Sequence, residues 1–257
     1  MIEVKDLTFG YGRVPLLCGI SFTLSQGELC SVVGINGCGK TTLLSLLSRR
    51  LSPSGGTVEV DGRRAEGYSS REYARKISLL SQERQVSNMT VCDYVAAGRY
   101  PYVGFSGRMT EEDEHAVERA VRAAGIESFL QRRLTELSGG ERQRVYFALL
   151  MAQDTPYVLM DEPCSHMDLP STVAMNELVS TLRDSGKGIL AVSHDLASSL
   201  KHSDRILLLE NGRLVYNGAP DCEACFDGLE RVFGLRCHKI TIDGQTEYFF
   251  KRGEKSL

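Results

Sequence analysis

Alternating and short apolar segments occur along most of the chain and predict β-strands. Ile2–Phe9 alternates apolar and polar residues, which indicates a strand with one buried face. Uninterrupted apolar runs such as Leu29–Val33 predict strands that are buried on both faces. The predicted strands are Ile2–Phe9, Leu16–Leu24, Leu29–Val33, Thr57–Val60, Ile77–Leu80, Tyr157–Pro163, Gly188–Val192, Arg205–Leu209 and Arg213–Tyr216.

Turn-forming residues separate several of these strands. Asp61-Gly62 and Asn211-Gly212 have the composition of two-residue hairpin turns. Gly10–Gly12 predicts a turn directly after the first strand. Alternation over Leu235–Lys251, on both sides of Asp243-Gly244, predicts a small hairpin near the end of the chain.

The pattern changes to helical spacing between residues 85 and 152. Ser70–Arg75, just before this region, and Thr90–Ala97, within it, predict short helices. Thr110 followed by three acidic residues has the form of a capped helix start, and Gly125 ends that helix. One face of it is predicted to carry Val117, Ala120, Val121 and Ala124. A block of helices that interrupts alternating strands and helices indicates an inserted subdomain.

Composition and charge narrow the class of protein. The chain has 257 residues with 42% hydrophobic and 25% charged residues, which predicts one large domain or one domain with an insertion. A net charge of −3 gives no basic excess, so a nucleic-acid partner is not expected. No apolar run approaches the roughly 20 residues of a membrane span, and Met1–Lys5 does not begin a signal peptide.

The 8 cysteines are scattered, and we expect them to be reduced in the cytoplasm. Cys222 and Cys225 form a C-x-x-C pair upstream of Cys237 and His238, which is a possible zinc ligand set. However, adjacent residues in a strand point to opposite faces, and the usual second ligand pair is missing. A structural role for these cysteines is therefore the preferred prediction.

The most informative segment follows the third predicted strand. It fits the pattern G-x-x-x-x-G-K-[ST] of a phosphate-binding P-loop. Gly34, Gly37 and Gly39 allow the backbone N–H groups to approach phosphate oxygens, and the helix that follows contributes its positive end. Lys40 supplies a positive charge to the β- and γ-phosphates, and the Thr41 hydroxyl can bind Mg²⁺. The full segment is Gly34-Ile35-Asn36-Gly37-Cys38-Gly39-Lys40-Thr41-Thr42.

Polar residues directly after other predicted strands are further candidates, because open α/β sheets bind ligands at the carboxyl ends of their strands. Gln82 can contact the γ-phosphate or a Mg²⁺ ion, or it can be an ordinary loop residue. Asp161 is predicted to hold Mg²⁺, and Glu162 is predicted to orient or deprotonate the attacking water. His194 is a candidate donor to the γ-phosphate.

Two other segments are candidates for contacts with a nucleotide. Tyr11 offers a flat aromatic surface for an adenine ring, although it can also be a plain turn residue. Ser138, Gly139 and Gly140 open a helix and present N–H groups and a hydroxyl, which makes a second anion-binding surface; the alternative is a simple capped helix start. Cys38 lies beside Lys40 and a helix N-terminus, which predicts a lowered thiol pKa. ATP is then expected to protect Cys38 from alkylation, and alkylation to inhibit hydrolysis; the alternative is an inert, small side chain.

Together these motifs resemble the ATP-binding subunit of ABC transporters along essentially the full chain. Tyr11 resembles the aromatic residue that stacks on adenine, and Gln82 resembles the Q-loop glutamine. Leu137–Gln143 resembles the LSGGQ signature, with Glu141 in place of the frequent Gln, and Ser165–Asp168 resembles the D-loop. The other matches are Gly34–Thr42 to Walker A, Asp161 and Glu162 to Walker B and the catalytic glutamate, and His194 to the switch histidine.

The resemblance implies an α/β fold with a P-loop (RecA-like) nucleotide-binding core, an antiparallel β subdomain and an inserted α-helical subdomain. The implied boundaries within one domain of residues 1–257 are 1–84 and 156–220 for the core with its β subdomain, 85–155 for the helical insert and 221–257 for a C-terminal extension. ATP-binding residues are expected at Tyr11, Gly34, Asn36, Gly37, Cys38, Gly39, Lys40, Thr41, Thr42, Ser138, Gly139 and Gly140. Catalytic residues are expected at Glu162, His194, Gln82 and Lys40, and Mg²⁺ ligands at Thr41, Gln82 and Asp161.

A subfamily and its partners are also implied. Ala97–Phe105, followed by Thr110–Asp113, resembles importers of iron–siderophore, haem and cobalamin complexes. Zinc and manganese importers carry a similar segment, but Pro101 favours the first group. The resemblance implies a dimer of two copies around ATP, attached through separate permease subunits to the cytoplasmic face of the membrane and served indirectly by a substrate-binding protein. The alternatives are a zinc or manganese importer ATPase and a soluble ABC ATPase without a transport role.

Overall fold

The computed structural model describes residues 1–12, 14–82, 86–104, 107–165, 167–242 and 244–252. The chain divides into two compact units. Unit 1 contains Met1–Ala65 and Gly188–Leu257, and unit 2 contains Glu66–Lys187. The domain boundaries expected from the sequence, at 84/85, 155/156 and 220/221, stay a prediction.

The strands and helices follow the expected alternation. The strands are β1 (Ile2–Tyr11), β2 (Val14–Leu24), β3 (Leu29–Gly34), β4 (Gly55–Val60), β5 (Arg63–Arg64), β6 (Ile77–Leu80), β7 (Tyr157–Asp161), β8 (Gly188–Val192), β9 (Arg205–Glu210), β10 (Arg213–Gly218), β11 (Leu235–Ile242) and β12 (Gln245–Arg252). The helices are α1 (Lys40–Leu47), α2 (Ser70–Ala74), α3 (Val91–Ala96), α4 (Glu111–Ala124), α5 (Gly139–Gln153), α6 (Leu169–Asp184), α7 (Leu196–His202) and α8 (Glu223–Phe233).

Unit 1 contains an antiparallel sheet in the order β2-β1-β4-β5. Ile2 of β1 pairs with Leu24 of β2 and with Val60 of β4, and all three side chains are buried. This is the half-buried sheet that alternation along the first strand predicts. The turn between β4 and β5 has positive φ at Asp61 (51°) and Gly62 (77°), as the predicted hairpin turn requires.

The P-loop strand belongs to a second group of strands in unit 1. β3 lies between β8 and β9 and is parallel to both, and β10 returns antiparallel to β9. All residues of β3 and β8 are buried, which explains their uninterrupted apolar sequence. The parallel arrangement brings the carboxyl ends of β3 and β8 to the same edge, where Gly34 ends β3 and His194 follows β8.

The C-terminal part of unit 1 packs on these strands through a hydrophobic cluster. α8 contacts β9 and β10, and the antiparallel hairpin β11–β12 contacts α7 and α8. The cluster consists of Val33, Leu196, Leu200, Ile206, Leu208, Cys225, Leu229 and Tyr248. The hairpin expected at the end of the chain is therefore confirmed; of its two expected turn residues, Asp243 lies outside the described residues and Gly244 has a φ of 77°.

Unit 2 contains the parallel pair β6–β7 and the predicted block of helices. α4 and α3 both pack against α5. Thr110 caps α4 with a complete capping box, and Gly125 ends it in the left-handed conformation, as the sequence predicts. The buried residues of α4 are Asp113, Ala116, Ala120, Val121 and Ala124, whereas Val117 is only half-buried.

One expectation needs correction. Gly10 and Tyr11 do not form a turn after the first strand; they pair with Pro15 and Val14, so the strand runs to Tyr11.

Asp113 lies in the acidic first turn of α4, as the sequence predicts. The structure adds that it is buried and bonded to Arg99, with 2.9 Å between Oδ1 and Nε.

Candidate functional site

The P-loop lies between β3 and α1 and is shaped by glycines. A side chain at Gly34 would collide with the Leu209 carbonyl oxygen, and one at Gly39 would lie 2.5 Å from a methyl carbon of Leu17. Gly39 also has a φ of 106°, which side-chain-bearing residues rarely adopt. Glycine is therefore required at both positions, and the loop leads directly into the N-terminus of α1.

Lys40 is held inside the loop that it follows. Its ammonium nitrogen donates to the carbonyl oxygens of Gly34 at 2.7 Å and Ile35 at 3.1 Å, and the side chain is only 7% exposed. A buried ammonium with two neutral carbonyl partners favours an anion as a further partner, because the low-dielectric surroundings penalise an uncompensated charge. The loop thus combines a fixed cation with a helix N-terminus, which suits a phosphate group.

The prediction that the pKa of the Cys38 thiol is lowered is wrong. Burial raises the pKa of the Cys38 thiol above its ordinary value, and the Lys40 charge and backbone N–H only partly offset this effect. The side chain is 4% exposed. Removal from water outweighs the nearby positive charge at this position, so the structure favours the protonated thiol.

Two other candidates in unit 1 are exposed. Tyr11 is 62% exposed at the end of β1, and its ring meets Phe9 edge-on with 5.0 Å between centroids. His194 is exposed in the short loop between β8 and α7. Asp195 caps α7 by accepting from the Ser198 N–H at 3.0 Å, which fixes the position of this loop.

Unit 2 brings Gln82, Asp161 and Glu162 together. Asp161 is the last residue of β7 and is 4% exposed. Glu162 follows with a φ of 50°, and Gln82, two residues after β6, donates from Nε2 to the Glu162 carboxylate at 2.8 Å. Since β6 and β7 are parallel, their carboxyl ends deliver these residues to one place, as the sequence predicts.

These residues line an open cavity of about 460 Å³ in unit 2. The lining also includes Gly139, Gln143 and Tyr146 of α5. Gln143 donates to the carbonyl oxygen of Pro163 at 2.6 Å, which ties the helix to the segment after Glu162. The sequence analysis assigned no role to Gln143 or Tyr146; Gln143 lies within the signature segment, whereas nothing in the pattern marks Tyr146.

The structure explains Glu141 within the signature segment. Ser138 is the N-cap of α5 and forms a capping box with Glu141, which accepts from the Ser138 N–H at 2.7 Å. The backbone hydrogen bond from Ser138 is the main cause that lowers the pKa of the Glu141 carboxyl group. Either Glu or Gln can occupy this position of a capping box, so the departure from the frequent Gln keeps the helix start intact.

The D-loop residues are partly described. Asp168 caps α6 by accepting from the Ser171 N–H at 3.0 Å. Hydrogen bonds from the Ser171 side chain and from its backbone lower the pKa of Asp168. His166 lies outside the described residues, as does Phe105 of the segment that follows α3.

The donor atoms suit Mg²⁺. Thr41, Gln82 and Asp161 offer hydroxyl, amide and carboxylate oxygens, the ligand types that this ion prefers. Gln82 uses its amide nitrogen on Glu162, so its amide oxygen is the atom for a cation. The described residues contain no group of three or more His, Cys, Asp or Glu side chains placed to hold a metal ion. Cys225, one of the four candidates for a zinc set, belongs to the hydrophobic cluster of unit 1.

Comparisons with known proteins agree with this geometry. Residues 17–165 match the family model described as ABC transporter. The chain belongs to the ABC transporter family. Within the described residues, no helix of this ABC protein has the length and apolar character needed to cross a bilayer.

Curated relatives and solved structures show which members of the family this ABC protein is similar to. It is 38% identical to the ferric enterobactin transport ATP-binding protein FepC of Escherichia coli (strain K12), over 91% of this chain and 87% of the relative. It is 36% identical to the petrobactin import ATP-binding protein YclP of Bacillus subtilis (strain 168), over 95% and 97% respectively. A solved ATP-binding subunit of an ABC transporter matches with a TM-score of 0.77 and 26% identity, over 92% of this chain and 94% of that one. The protein is therefore an ABC-type ATPase that binds ATP, and the predicted P-loop fold is confirmed.

Proposed function

We propose that this protein is the ATP-hydrolysing subunit that powers membrane import of an iron chelate. The observation that carries the proposal is the full-length similarity to two ATP-binding proteins named for ferric enterobactin and petrobactin transport. The subfamily resemblance rests on Ala97–Phe105 with Thr110–Asp113. The described part of this stretch lies in unit 2, where Arg99 bonds Asp113. Haem belongs to this iron-chelate class, and cobalamin, a cobalt complex, is kept beside it as a further proposed ligand.

Each site residue has a proposed role in this reaction. Lys40 and the P-loop N–H groups bind the phosphates, and the ring of Tyr11 stacks on the adenine. Thr41, Gln82 and Asp161 would hold Mg²⁺, which when bound neutralises charge on the phosphates. Glu162 positions water for in-line attack, and His194 donates to the γ-phosphate. The further nucleotide contacts are Asn36, Cys38, Thr42 and, from a second copy of the chain, Ser138, Gly139 and Gly140.

The proposal includes an assembly. Two copies bind two ATP molecules between the P-loop of one and the signature segment of the other, and permease subunits hold the pair at the cytoplasmic face of the membrane. A substrate-binding protein is an indirect partner, and no nucleic acid takes part. The exposure of Gly139 at the start of α5 and the open cavity beside Glu162 support this arrangement, because both leave room for a ligand.

The test is ATP hydrolysis by the protein copurified with its permease in mild detergent and reconstituted in vesicles. We expect a substrate-binding protein loaded with a ferric siderophore, haem or cobalamin to stimulate hydrolysis above the rate with the empty binding protein. Glu162→Gln serves as the control without hydrolysis, and Lys40→Ala as the control without bound ATP. Stimulation by zinc- or manganese-loaded binding protein alone, or hydrolysis that no permease influences, would contradict the proposal.

A further inference from the structure

Two cysteines lie at the start of α8 in a C-x-x-C arrangement that the ATPase reaction does not use. Cys222 is the N-cap residue of α8, and Cys225 lies in its first turn. The Cys225 N–H donates to the Cys222 carbonyl oxygen at 3.1 Å. A turn of this kind keeps its first and fourth Cα atoms within about 7 Å, and a disulfide needs about 4.4–6.8 Å. The backbone is therefore already in the range that a disulfide requires.

The two thiols differ in their access to solvent. Cys222 is half-buried, and its sulfur lies 3.0 Å from the Tyr216 hydroxyl and 3.5 Å from the Ala219 carbonyl oxygen. Cys225 is 0% exposed and belongs to the hydrophobic cluster of unit 1. A small reagent can thus reach Cys222 first, while Cys225 can react only with a group that is already beside it.

The acidity of the thiols agrees with this order. Burial raises the pKa of Cys225 to about 12, and the neighbouring Cys222 and Cys237 thiols add to the effect. Burial also raises the pKa of Cys237, to about 11. Because Cys222 is the more accessible of the two thiols, it is the attacking thiol and Cys225 the second one.

We propose that Cys222 and Cys225 form a redox-active dithiol, which a low-molecular-weight disulfide such as oxidised glutathione converts into an intramolecular disulfide. The Cys222 thiolate attacks one sulfur of oxidised glutathione, forms a mixed disulfide and releases one glutathione thiolate. The Cys225 sulfur then attacks the Cys222 sulfur and releases the second glutathione. The protein loses two protons and two electrons, and oxidised glutathione gains them as two reduced molecules.

The chain offers a direct measurement of this bond. Trypsin cleaves after Lys and Arg, and the segment from Leu214 to Arg231 contains both cysteines with no internal cleavage site. Full-length protein in chelator-treated buffer is incubated with excess oxidised glutathione, alkylated with iodoacetamide, digested and analysed by mass spectrometry. A parallel sample is reduced with dithiothreitol before alkylation. Cys92, which is exposed and lies in unit 2, reports the reaction of an isolated thiol in the same sample.

We expect the peptide from Leu214 to Arg231 to appear two hydrogen masses below its reduced form and without alkyl groups, and dithiothreitol to reverse this. Cys92 should keep one glutathione. In Cys225→Ser, the mixed disulfide at Cys222 should accumulate, whereas Cys237→Ser should behave like the unchanged protein. The proposal is overturned if the unchanged protein accepts two alkyl groups on this peptide after oxidation, keeps glutathione on Cys222, or links Cys222 to Cys237. The peptide from the unchanged protein tests the proposal even if a variant does not fold.

Discussion

The Gln82 side chain donates from Nε2 to the Glu162 carboxylate, and the two atoms lie 2.8 Å apart. The two residues are 80 positions apart in sequence and come from the ends of two neighbouring parallel strands. A carboxylate that orients water must have a fixed position, and this hydrogen bond supplies one. Gln82 and the proposed catalytic glutamate are therefore held together by a direct hydrogen bond.

Gln82→Ala removes this contact and should lower the rate of ATP hydrolysis. A hydrogen bond to a charged group contributes about 1.5–3 kcal/mol, so a decrease of roughly 10–100-fold in kcat is expected if the bond persists during the reaction. The measurement is steady-state hydrolysis with kcat and KM determined separately. Gln153→Ala is the matched control, because the Gln153 amide bonds the Ala74 carbonyl oxygen at 2.7 Å, away from the cavity. An unchanged kcat in Gln82→Ala would show that the contact has no catalytic role.

Tyr11→Ala should weaken the binding of adenine nucleotides by roughly 1–3 kcal/mol, the usual range for stacking of a base on an aromatic side chain. Tyr11→Phe should retain most of the affinity, since the ring remains. Equilibrium titration with a fluorescent ATP analogue gives both values. Tyr100→Ala is a control, because Tyr100 is 67% exposed and has no proposed contact with the base. Equal affinity in Tyr11→Ala and the unchanged protein would assign the stacking role to another residue.

The ion pair between Arg99 and Asp113 should make a large contribution to stability. Arg99 is 5% and Asp113 is 3% exposed, and Arg99 also donates to the Ala152 carbonyl oxygen at 2.9 Å. Asp113→Asn leaves the Arg99 charge buried without its partner, which should lower the free energy of unfolding by about 3–5 kcal/mol at pH 7. Chemical denaturation measures the loss of stability. Glu118→Gln is the control, because Glu118 and Arg122 form an exposed ion pair, and it should change the free energy of unfolding little.

The pH dependence of this loss has a definite sign. Burial opposes ionisation of Asp113, but hydrogen bonds from Thr110 and Arg99 outweigh it and lower the pKa of the carboxyl group. A lowered pKa stabilises the folded state above the unfolded pKa of about 4, and the stabilisation disappears as pH falls through the folded pKa. The difference in the free energy of unfolding between the unchanged protein and Asp113→Asn should therefore become smaller below about pH 4. A constant difference down to pH 2 would contradict this assignment.

Cys38 should react slowly with alkylating reagents, because burial raises its pKa and limits access. In a time course with iodoacetamide at pH 7.5, followed by peptide mass spectrometry, Cys38 should label more slowly than exposed Cys92. Added ATP should slow Cys38 further without affecting Cys92. Faster labelling of Cys38 than of Cys92 would restore the original expectation of a lowered pKa.

Local pattern predicted much of the fold but not the burial of individual polar groups. The strands of both units, the capped start of α4 and the hairpin turns depend on residues close in sequence. The sequence analysis did not predict α6, α7 or α8, although Met175, Val179 and Leu182 of α6 are buried at the i, i+4, i+7 spacing of one helix face. Burial of Asp113 against Arg99 and desolvation of Cys38 depend on tertiary packing, which spacing does not encode.

The central claim is that two copies of this chain bind ATP between them and that Glu162 hydrolyses it. Glu162→Gln keeps the size of the side chain but removes the carboxylate, so hydrolysis should fall by about 10²–10⁴-fold while ATP still binds. Because hydrolysis reopens the pair, this variant should accumulate as a dimer with ATP and remain a monomer with ADP. Ser138→Arg, added to Glu162→Gln, should prevent the dimer by obstructing the signature segment.

The most direct measurement is size-exclusion chromatography with light scattering on three samples. The first is Glu162→Gln with ATP, the second is Glu162→Gln with ADP, and the third is the double variant Glu162→Gln, Ser138→Arg with ATP. The account predicts a dimer in the first sample and monomers in the other two. A monomer in all three samples, or a dimer that survives Ser138→Arg, would contradict it.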